Sequence, residues 1–327
     1  MSSAVSLVIP TRNEPLLELT IERWLNVGVQ EVIVVDDGGS LKSTKLPSAC
    51  KIISPPRQGV CPSRDAGIAI ASNDAVIVAD AHTCPLSECD IVAECAEYVH
   101  CCPTHYCCFT TVGVGNSLAR NTDPALHEST YYGARIGRNT VDSSSRPWAY
   151  SVHWSGVDAY SAIVRGQRAS CGCPLGGVYL LSQNHYMNTL RRPWQTMRGW
   201  GSAEQTMSLI NWVMGGELRC LSWTVGHCFR SGRSPYSVNN ASIVYNQIRL
   251  NALLPQAQEC REKALEHLFK WNHYAQFRDS ANRWLNDDKV HEYADYISAC
   301  HTRMIRDYWN YWEMGANHTY TTVTTAA

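Results

Sequence analysis

A chain of 327 residues, 45% of them apolar, has enough material for one large α/β domain and an appendage. Its charges nearly cancel, 28 Lys and Arg against 29 Asp and Glu for a net −1, so it has no basic field to hold nucleic acid irrespective of sequence. No stretch approaches the ~20 apolar residues of a membrane span, and the start lacks a charged-then-apolar secretion signal, which predicts a cytosolic protein.

Residues 5–9, V-S-L-V-I, form a strand-like run stopped by Pro10. Asn13 is placed to cap a helix with Pro15 in its first turn. Leu16, Leu19, Ile21, Trp24 and Leu25 then recur at helical spacing until Gly28. A second apolar run, residues 31–35, ends in Asp36-Asp37-Gly38-Gly39. Strand, helix and strand in this short span make a βαβ unit with a parallel pair. Two carboxylates at a strand end, followed by glycines, can grip a nucleoside through a base N–H or a ribose hydroxyl; a plain turn is the other reading. Residues 51–53 are a third short strand, followed by Arg57-Gln58-Gly59. Residues 61–71 read as a helix bearing Arg64 and Asp65, with Pro62 tolerable in its first turn. Arg57 and Arg64 can each hold a phosphate or a base edge, or serve as salt-bridge partners.

Residues 75–82, A-V-I-V-A-D-A-H, are an apolar run that ends abruptly in Asp80 and His82. In an open α/β sheet, ligands gather at the carboxyl ends of strands, and residues two apart on a strand face the same way. A carboxylate oxygen and an imidazole nitrogen on one side suit a divalent ion of the Mn²⁺ type. The alternative is a turn-capping aspartate beside an ordinary loop histidine.

Residues 87–99 are a predicted helix and residues 106–112 a predicted strand. From residue 113 to about 170 the pattern dissolves. Residues 137–146, G-R-N-T-V-D-S-S-S-R, read as a mobile polar excursion; Trp148, Trp154 and several tyrosines follow, an irregular aromatic segment of the kind that binds substrate beside a nucleotide site, a disordered excursion being the other reading. Order returns at Gly176-Gly177 feeding the strand V-Y-L-L-S. Trp200-Gly-Ser-Ala-Glu204 follows, then a buried helix at residues 206–214 closed by Gly215-Gly216. Residues 218–225 are another strand, leading into Gly226-His227-Cys228-Phe229-Arg230. Beyond Pro255, residues 259–270 and 287–312 read as helices rich in Trp and Tyr, an aromatic face for packing onto the main domain or for an acceptor or dimer surface. This divides the chain into residues 1–250, a helical element at 251–318 and a frayed tail at 319–327.

Fifteen cysteines in a chain of this size, without a secretion signal, are expected to be reduced and mostly buried. The cluster His100-Cys101-Cys102-Pro-Thr-His105-Tyr-Cys107-Cys108 matches no standard zinc spacing, which favours buried thiols over structural zinc even with Cys171 and Cys173 added.

Seven short pieces in order carry a resemblance. They are V-I-P-T-R-N-E at 8–14, V-V-D-D at 34–37, R-Q-G at 57–59 and D-A-H at 80–82, then G-G-V-Y at 176–179, W-G-S-A-E at 200–204 and V-G-H-C-F-R at 225–230. The chain resembles the GT-A nucleotide-sugar glycosyltransferases, and most of all the polypeptide N-acetylgalactosaminyltransferases, over roughly residues 5–245. The resemblance implies an α/β fold with a Rossmann-like, mostly parallel sheet flanked by helices. It also implies Mn²⁺ or another divalent ion on Asp80, His82 and His227. Thr11, Asp37 and Arg57 would hold the uridine end of a UDP-sugar, with Asp36, Arg64, Asp80 and Gly177 in the same nucleotide-sugar set. Trp200 and Glu204 would line the sugar and acceptor side, Arg230 would meet the pyrophosphate, and Tyr236 would sit on a closing loop. The chain departs from the family in two intervals. Trp200 to Glu204 and Arg230 to Pro235-Tyr236 are each one residue longer, which puts the roles of Glu204 and Tyr236 in question. The family's membrane anchor and lectin module have no counterpart in the sequence, which implies a cytosolic enzyme of bacterial or phage kind.

The implied reaction is transfer of a hexose or N-acetylhexosamine from a UDP-sugar to a hydroxyl acceptor with retention of configuration. Ser/Thr of a protein is the family's acceptor; a polysaccharide or a modified base of phage DNA is the alternative. Retention needs no hydrolase-type carboxylate pair, and the sequence offers none. A degenerate nucleotide-sugar-binding module is the competing non-enzymatic reading.

Overall fold

The computed structural model describes residues 4–39, 41, 46–87, 90–119, 130–142, 145–154, 169–229 and 239–313. Its framework is a mixed sheet. Four strands run parallel in the order β3 (Cys50–Ile53), β2 (Glu31–Asp36), β1 (Val5–Thr11), β4 (Ala75–Ala79). The sheet continues through β11 (Val178–Ser182), β6 (His105–Gly113), β12 (Glu217–His227) and β10 (Ala169–Ser170). Two short strands hang off this path, β5 (Thr83–Pro85) on β12 and β7 (Thr130–Tyr131) on β6. β11 is antiparallel to both β4 and β6, while β12 and β6 are parallel. The α/β reading therefore holds, with a sheet more mixed than expected. An apolar run such as V-Y-L-L-S carries no mark of strand direction, because a strand buried on both faces looks the same either way.

Strand alternation builds the two cores. Val8, Ile33, Val35, Val76, Val78, Tyr179 and Leu181 point to one face, with Cys61 and Ile68 of helix α2 (Val60–Ala69). Their chain neighbours Leu7, Ile9, Val32, Val34, Ile77, Val178 and Leu180 point to the other. There they meet Leu17, Ile21 and Trp24 of α1 (Leu17–Asn26) and Ile91, Val92 and Cys95 of α3 (Ile91–Cys101). This is the period of two expected of a pleated strand. Asn13 takes φ +52 and does not cap α1; Leu16 holds that position, and Gly28 at φ +91 ends the helix as expected.

Chain order reverses between β1 and β4. From β1 the chain winds outward to β2 and β3, then returns through α2 to the other flank of β1. Such a switch opens a crevice at the strands' carboxyl ends, where Thr11 and Asp80 lie.

The segment expected to be mobile is a hairpin instead, β8 (Ala134–Val141) against β9 (Pro147–Trp154). Its polar residues misled the sequence reading because β8 buries one face only, with Ala134 and Ile136 inward, although β9 is buried on both faces from Pro147 to Ser151.

Helices α4 (Ala203–Val213) and α5 (Asn240–Leu253) pack over the first core. The C-terminal helices follow: α6 (Gln258–Leu268), α7 (Asn272–Ala275), α8 (Arg278–Leu285), α9 (Asp288–Cys300) and α10 (Ile305–Glu313). Tyr274, Tyr308 and Trp309 of this aromatic set are buried in the same cluster as the sheet residues. No helix among the described residues is long and apolar enough to cross a membrane. The described cysteines are free thiols, and Cys107 and Cys108 belong to opposite cores, which separates them as ligands for one ion.

Candidate active site

The D-A-H turn is fixed from three sides. The Asp80 amide donates to the Gly177 carbonyl (2.7 Å), the Thr20 hydroxyl of α1 to the Ala81 carbonyl (3.0 Å), and the Cys228 amide to the His82 carbonyl (3.0 Å). His227 arrives from 145 positions away because β5 pairs antiparallel with β12, which sets His227 opposite Thr83. One potential ligand atom each from Asp80, His82 and His227 then lies within 4.8 Å of the others. The rings of His82 and His227 meet edge-on with centroids 4.8 Å apart, and His227 Nε2 is 3.8 Å from Asp80 Oδ2. A Glu14 carboxylate oxygen lies 3.3 Å from His82 Nδ1.

Gly177 makes this convergence possible. It sits at φ +78, and a Cβ there would lie 2.6 Å from His227 Cδ2 and 2.9 Å from Asp80 Oδ2. One carboxylate and two imidazoles, with open cleft beside them, form a donor set that suits a divalent ion accepting both O and N ligands.

Arg64 lies beneath the cluster on α2. Its Nη2 donates to Asp80 Oδ1 (2.9 Å) and its Nη1 to Glu204 Oε1 (3.2 Å). Burial pushes the Asp80 carboxyl up, but Arg64, His227 and His82 outweigh it and hold the group well below the usual carboxylate range. Glu204 stands in the first turn of α4, and its Oε1 also accepts from the Tyr179 hydroxyl (2.8 Å). Between Trp200 and Glu204 two left-handed residues, Gly201 at φ +106 and Ser202 at φ +62, turn the chain into the helix.

These residues border a cleft of about 1000 Å³ that also takes in Thr11, Asp37, Arg57, Trp200 and Gly177. Thr11 is buried and its hydroxyl makes no hydrogen bond. Asp37 Oδ1 accepts from the Gln58 and Gly59 amides (2.7 and 3.0 Å), so it organises the R-Q-G loop that presents Arg57. Asp36 turns the other way and accepts from the Leu41 amide at 2.9 Å; it is not among the cleft-lining residues. Arg230 and Tyr236 lie outside the described residues.

The far wall carries Trp148 and Trp154, which the sequence marks as an aromatic substrate-binding segment, on a hairpin whose Asp142 the sequence does not reveal. Asp142, at the hairpin tip, accepts from the Arg146 amide (3.0 Å), from Arg146 Nε (2.9 Å) and from Trp148 Nε1 (3.1 Å). Trp148 then meets Trp200 edge-on, with ring centroids 6.4 Å apart. Trp154 and Phe229 extend this aromatic wall. The available signal was the aromatic run from Trp148 to Trp154 directly after D-S-S-S-R, a turn-rich link of hairpin type.

Residues 6–122, the segment that carries β1 to β6 and the D-A-H turn, match the family model for glycosyl transferase family 2. The chain carries a glycosyltransferase domain. Among solved structures, the fold around this glycosyltransferase domain is similar to that of GalNAc-T7 with UDP, GalNAc and Mn²⁺, at a TM-score of 0.67 and 15% identity. That match covers 95% of this chain and 57% of the other, so the chain spans little more than half the length of that protein. Staphylococcus aureus TarS residues 1–349 in complex with UDP-GlcNAc is a looser likeness, with a TM-score of 0.44 and 16% identity over 95% of this chain and 90% of that one. No curated protein sequence matches the chain.

Proposed function

We propose that this chain transfers a hexose or N-acetylhexosamine from a UDP-sugar to a hydroxyl acceptor, with retention of configuration and dependence on a divalent ion, Ser/Thr of a protein being the acceptor. The observation that carries the reading is the convergence of Asp80, His82 and His227 at the mouth of the switch-point crevice, against the Gly177 backbone. The GalNAc-T7 structure, which holds UDP, GalNAc and Mn²⁺, supports the choice of donor and ion.

In this reading Asp80, His82 and His227 hold the ion, which when bound supplies positive charge against the departing diphosphate. Thr11 and Arg57 border the end of the cleft assigned to the nucleoside, and the loop bearing Arg57 is held by Asp37. Trp200, steadied by Trp148, forms an apolar wall along the sugar. Glu204, with Oε1 already held by Arg64 and Tyr179, turns its remaining oxygen to a hydroxyl of the sugar or the acceptor. The acceptor hydroxyl passes its proton to the leaving phosphate on the same face, so the chain needs no nucleophile of its own.

The test is thermal melting against a panel of nucleotide-sugars with and without Mn²⁺, followed by turnover with Ser/Thr peptides. A ligand that binds only the folded chain at one hundred times its Kd stabilises it by about 2.7 kcal/mol. Stabilisation by UDP or one UDP-sugar only when Mn²⁺ is present, followed by UDP release on adding peptide, is the expected result. No shift with any nucleotide in either condition overturns the reading. A shift without turnover on any hydroxyl acceptor reduces it to a binding module.

A further inference from the structure

Asn246 and Gln247, consecutive on α5, are both fully buried, and neither is among the residues that line the cleft. Each amide grips the main chain of another element as a neighbouring strand would. Asn246 Oδ1 accepts from the Arg198 amide (2.9 Å), while its Nδ2 donates to the Arg198 carbonyl (2.8 Å). Gln247 Oε1 accepts from the amide of Tyr150 on β9 (3.1 Å), and its Nε2 donates to the Tyr150 carbonyl (3.4 Å). The second N–H of each side chain reaches one loop. Asn246 donates to the Gly201 carbonyl (2.9 Å) and Gln247 to the Ser202 hydroxyl (3.0 Å). Both N–H groups of both amides are thereby used.

The loop held in this way, residues 198–202, carries Trp200 and leads into Glu204. It is neither helix nor strand, and Gly199, Gly201 and Ser202 take left-handed φ values of +52, +106 and +62. A side-chain-bearing residue persists in that region only where its surroundings over-determine it, and the Gln247 bond does so for Ser202. The face of α5 also presses on the loop directly. A Cβ on Gly199 would lie 2.8 Å from the Ser242 hydroxyl, and one on Gly201 3.2 Å from Ile243 Cγ1. On the hairpin side, Trp148 stands two residues before Tyr150 on β9, and its ring meets Trp200 edge-on at 6.4 Å. The amide pair therefore joins the two elements whose tryptophans meet across the cleft wall.

We infer that Asn246 and Gln247 are positioning residues that staple the 198–202 loop to the hairpin and so set the Trp148–Trp200 wall and the entry of Glu204 into the cleft. This rests on the transferase reading above. The two ends of the cleft are held separately. The Gly199 amide does donate to the Gln58 carbonyl (3.0 Å), but the loop bearing Arg57 keeps its own ties to Asp37, and His227 reaches Asp80 and His82 through the pairing of β5 with β12. Loosening the staple therefore disturbs the sugar and acceptor side and spares the nucleotide and ion side. A carboxylate cannot replace either amide, since it offers no N–H and would set its lone pairs against carbonyl oxygens.

The experiment compares the wild-type chain with Asn246→Asp by the fluorine resonances of fluorotryptophan-labelled protein, by UDP affinity in Mn²⁺ and by transfer kinetics on Ser/Thr peptides. The Trp200 signal is assigned with Trp200→Phe, and Trp24, buried in the opposite core, serves as the internal reference. In Asn246→Asp the Trp200 signal should move or broaden while that of Trp24 stays in place and UDP affinity is unchanged. Misplacement by about 1 Å can cost about 100-fold in rate, so kcat should fall toward that extent. An unmoved Trp200 signal, or wild-type kcat, overturns the inference. A Trp24 signal that moves too, or UDP affinity that falls along with kcat, means general loosening and overturns it equally. Should Asn246→Asp fail to fold, Ser202→Gly decides alone. Glycine tolerates the left-handed backbone while the Gln247 bond is lost, and an unmoved Trp200 signal there sinks the idea. A wild-type chain that binds neither Mn²⁺ nor UDP removes the transferase reading itself, a different outcome from any of these.

Discussion

Gly177 leaves no room for a side chain. A methyl group there would press on the His227 ring at 2.6 Å while holding a left-handed backbone, a conformation that costs an L-residue about 1–2 kcal/mol. Gly177→Ala should therefore fold with a lowered melting temperature and lose Mn²⁺-dependent UDP binding. Normal Mn²⁺ affinity in this variant would show that the three ligands do not need to close on that backbone. Asp80→Ala and His227→Ala should each cut sugar transfer by roughly two orders of magnitude or more while leaving circular dichroism unchanged. Full transfer in either, or in excess chelator, removes the ion from the mechanism. That Asp80 and His82 face the same way was legible from a single tripeptide, because they are near neighbours at one strand end, but the tripeptide alone left an ion site and a plain turn both open. His227 was placed beside them only by the family resemblance. Spacing alone cannot bring together residues whose meeting depends on β5 pairing with β12.

At the scale of elements, the sheet is fastened at the end opposite the cleft. Glu31 accepts from Lys51, from the Ser6 hydroxyl and from the Ser72 amide (2.7 Å) and hydroxyl (2.7 Å), joining β2 to β1, to β3 and to the turn before β4. Burial pushes its carboxyl up, but these bonds prevail and hold it down at about 2. A carboxyl depressed in the folded state stabilises above its unfolded value, near 4.5, and that contribution fades as pH falls toward 2. Melting temperatures of the wild-type chain and Glu31→Gln should accordingly differ at pH 6 and converge as the pH drops below 4. A gap that stays constant over that range would refute the ionised contact. The hairpin carries a second element-scale expectation. Asp142→Ala unties the Trp148 indole and leaves its buried N–H without an acceptor, at a cost of about 1–3 kcal/mol. It should raise the KM for acceptor while leaving UDP affinity nearly unchanged; an equal loss of both would deny the hairpin an acceptor-side role. This element was illegible in the sequence because its inward residues are interleaved with Arg135, Arg138, Asn139 and Thr140, so its composition resembles that of a loop.

For the whole molecule, the α/β class followed from apolar runs and glycine punctuation, and the sheet's reversal between β1 and β4 explains why the apolar runs end at one crevice. Strand direction and the path from residue 113 to the hairpin did not follow, since both are set by long-range pairing rather than by local pattern. The chain's three proposed ligands also differ in when they become available. Asp80 and His82 belong to the first third of the chain, but His227 ends β12, the last strand among the described residues, and β12 must lie beside β6 and β5 before its histidine meets the others. A growing polypeptide would hold two-thirds of an ion site over the 145 positions between His82 and His227 and gain the last part only as the sheet is sealed. Ion capture would then report completed assembly, and a chain stalled or cut ahead of β12 would remain inert toward the donor however well its first half had folded.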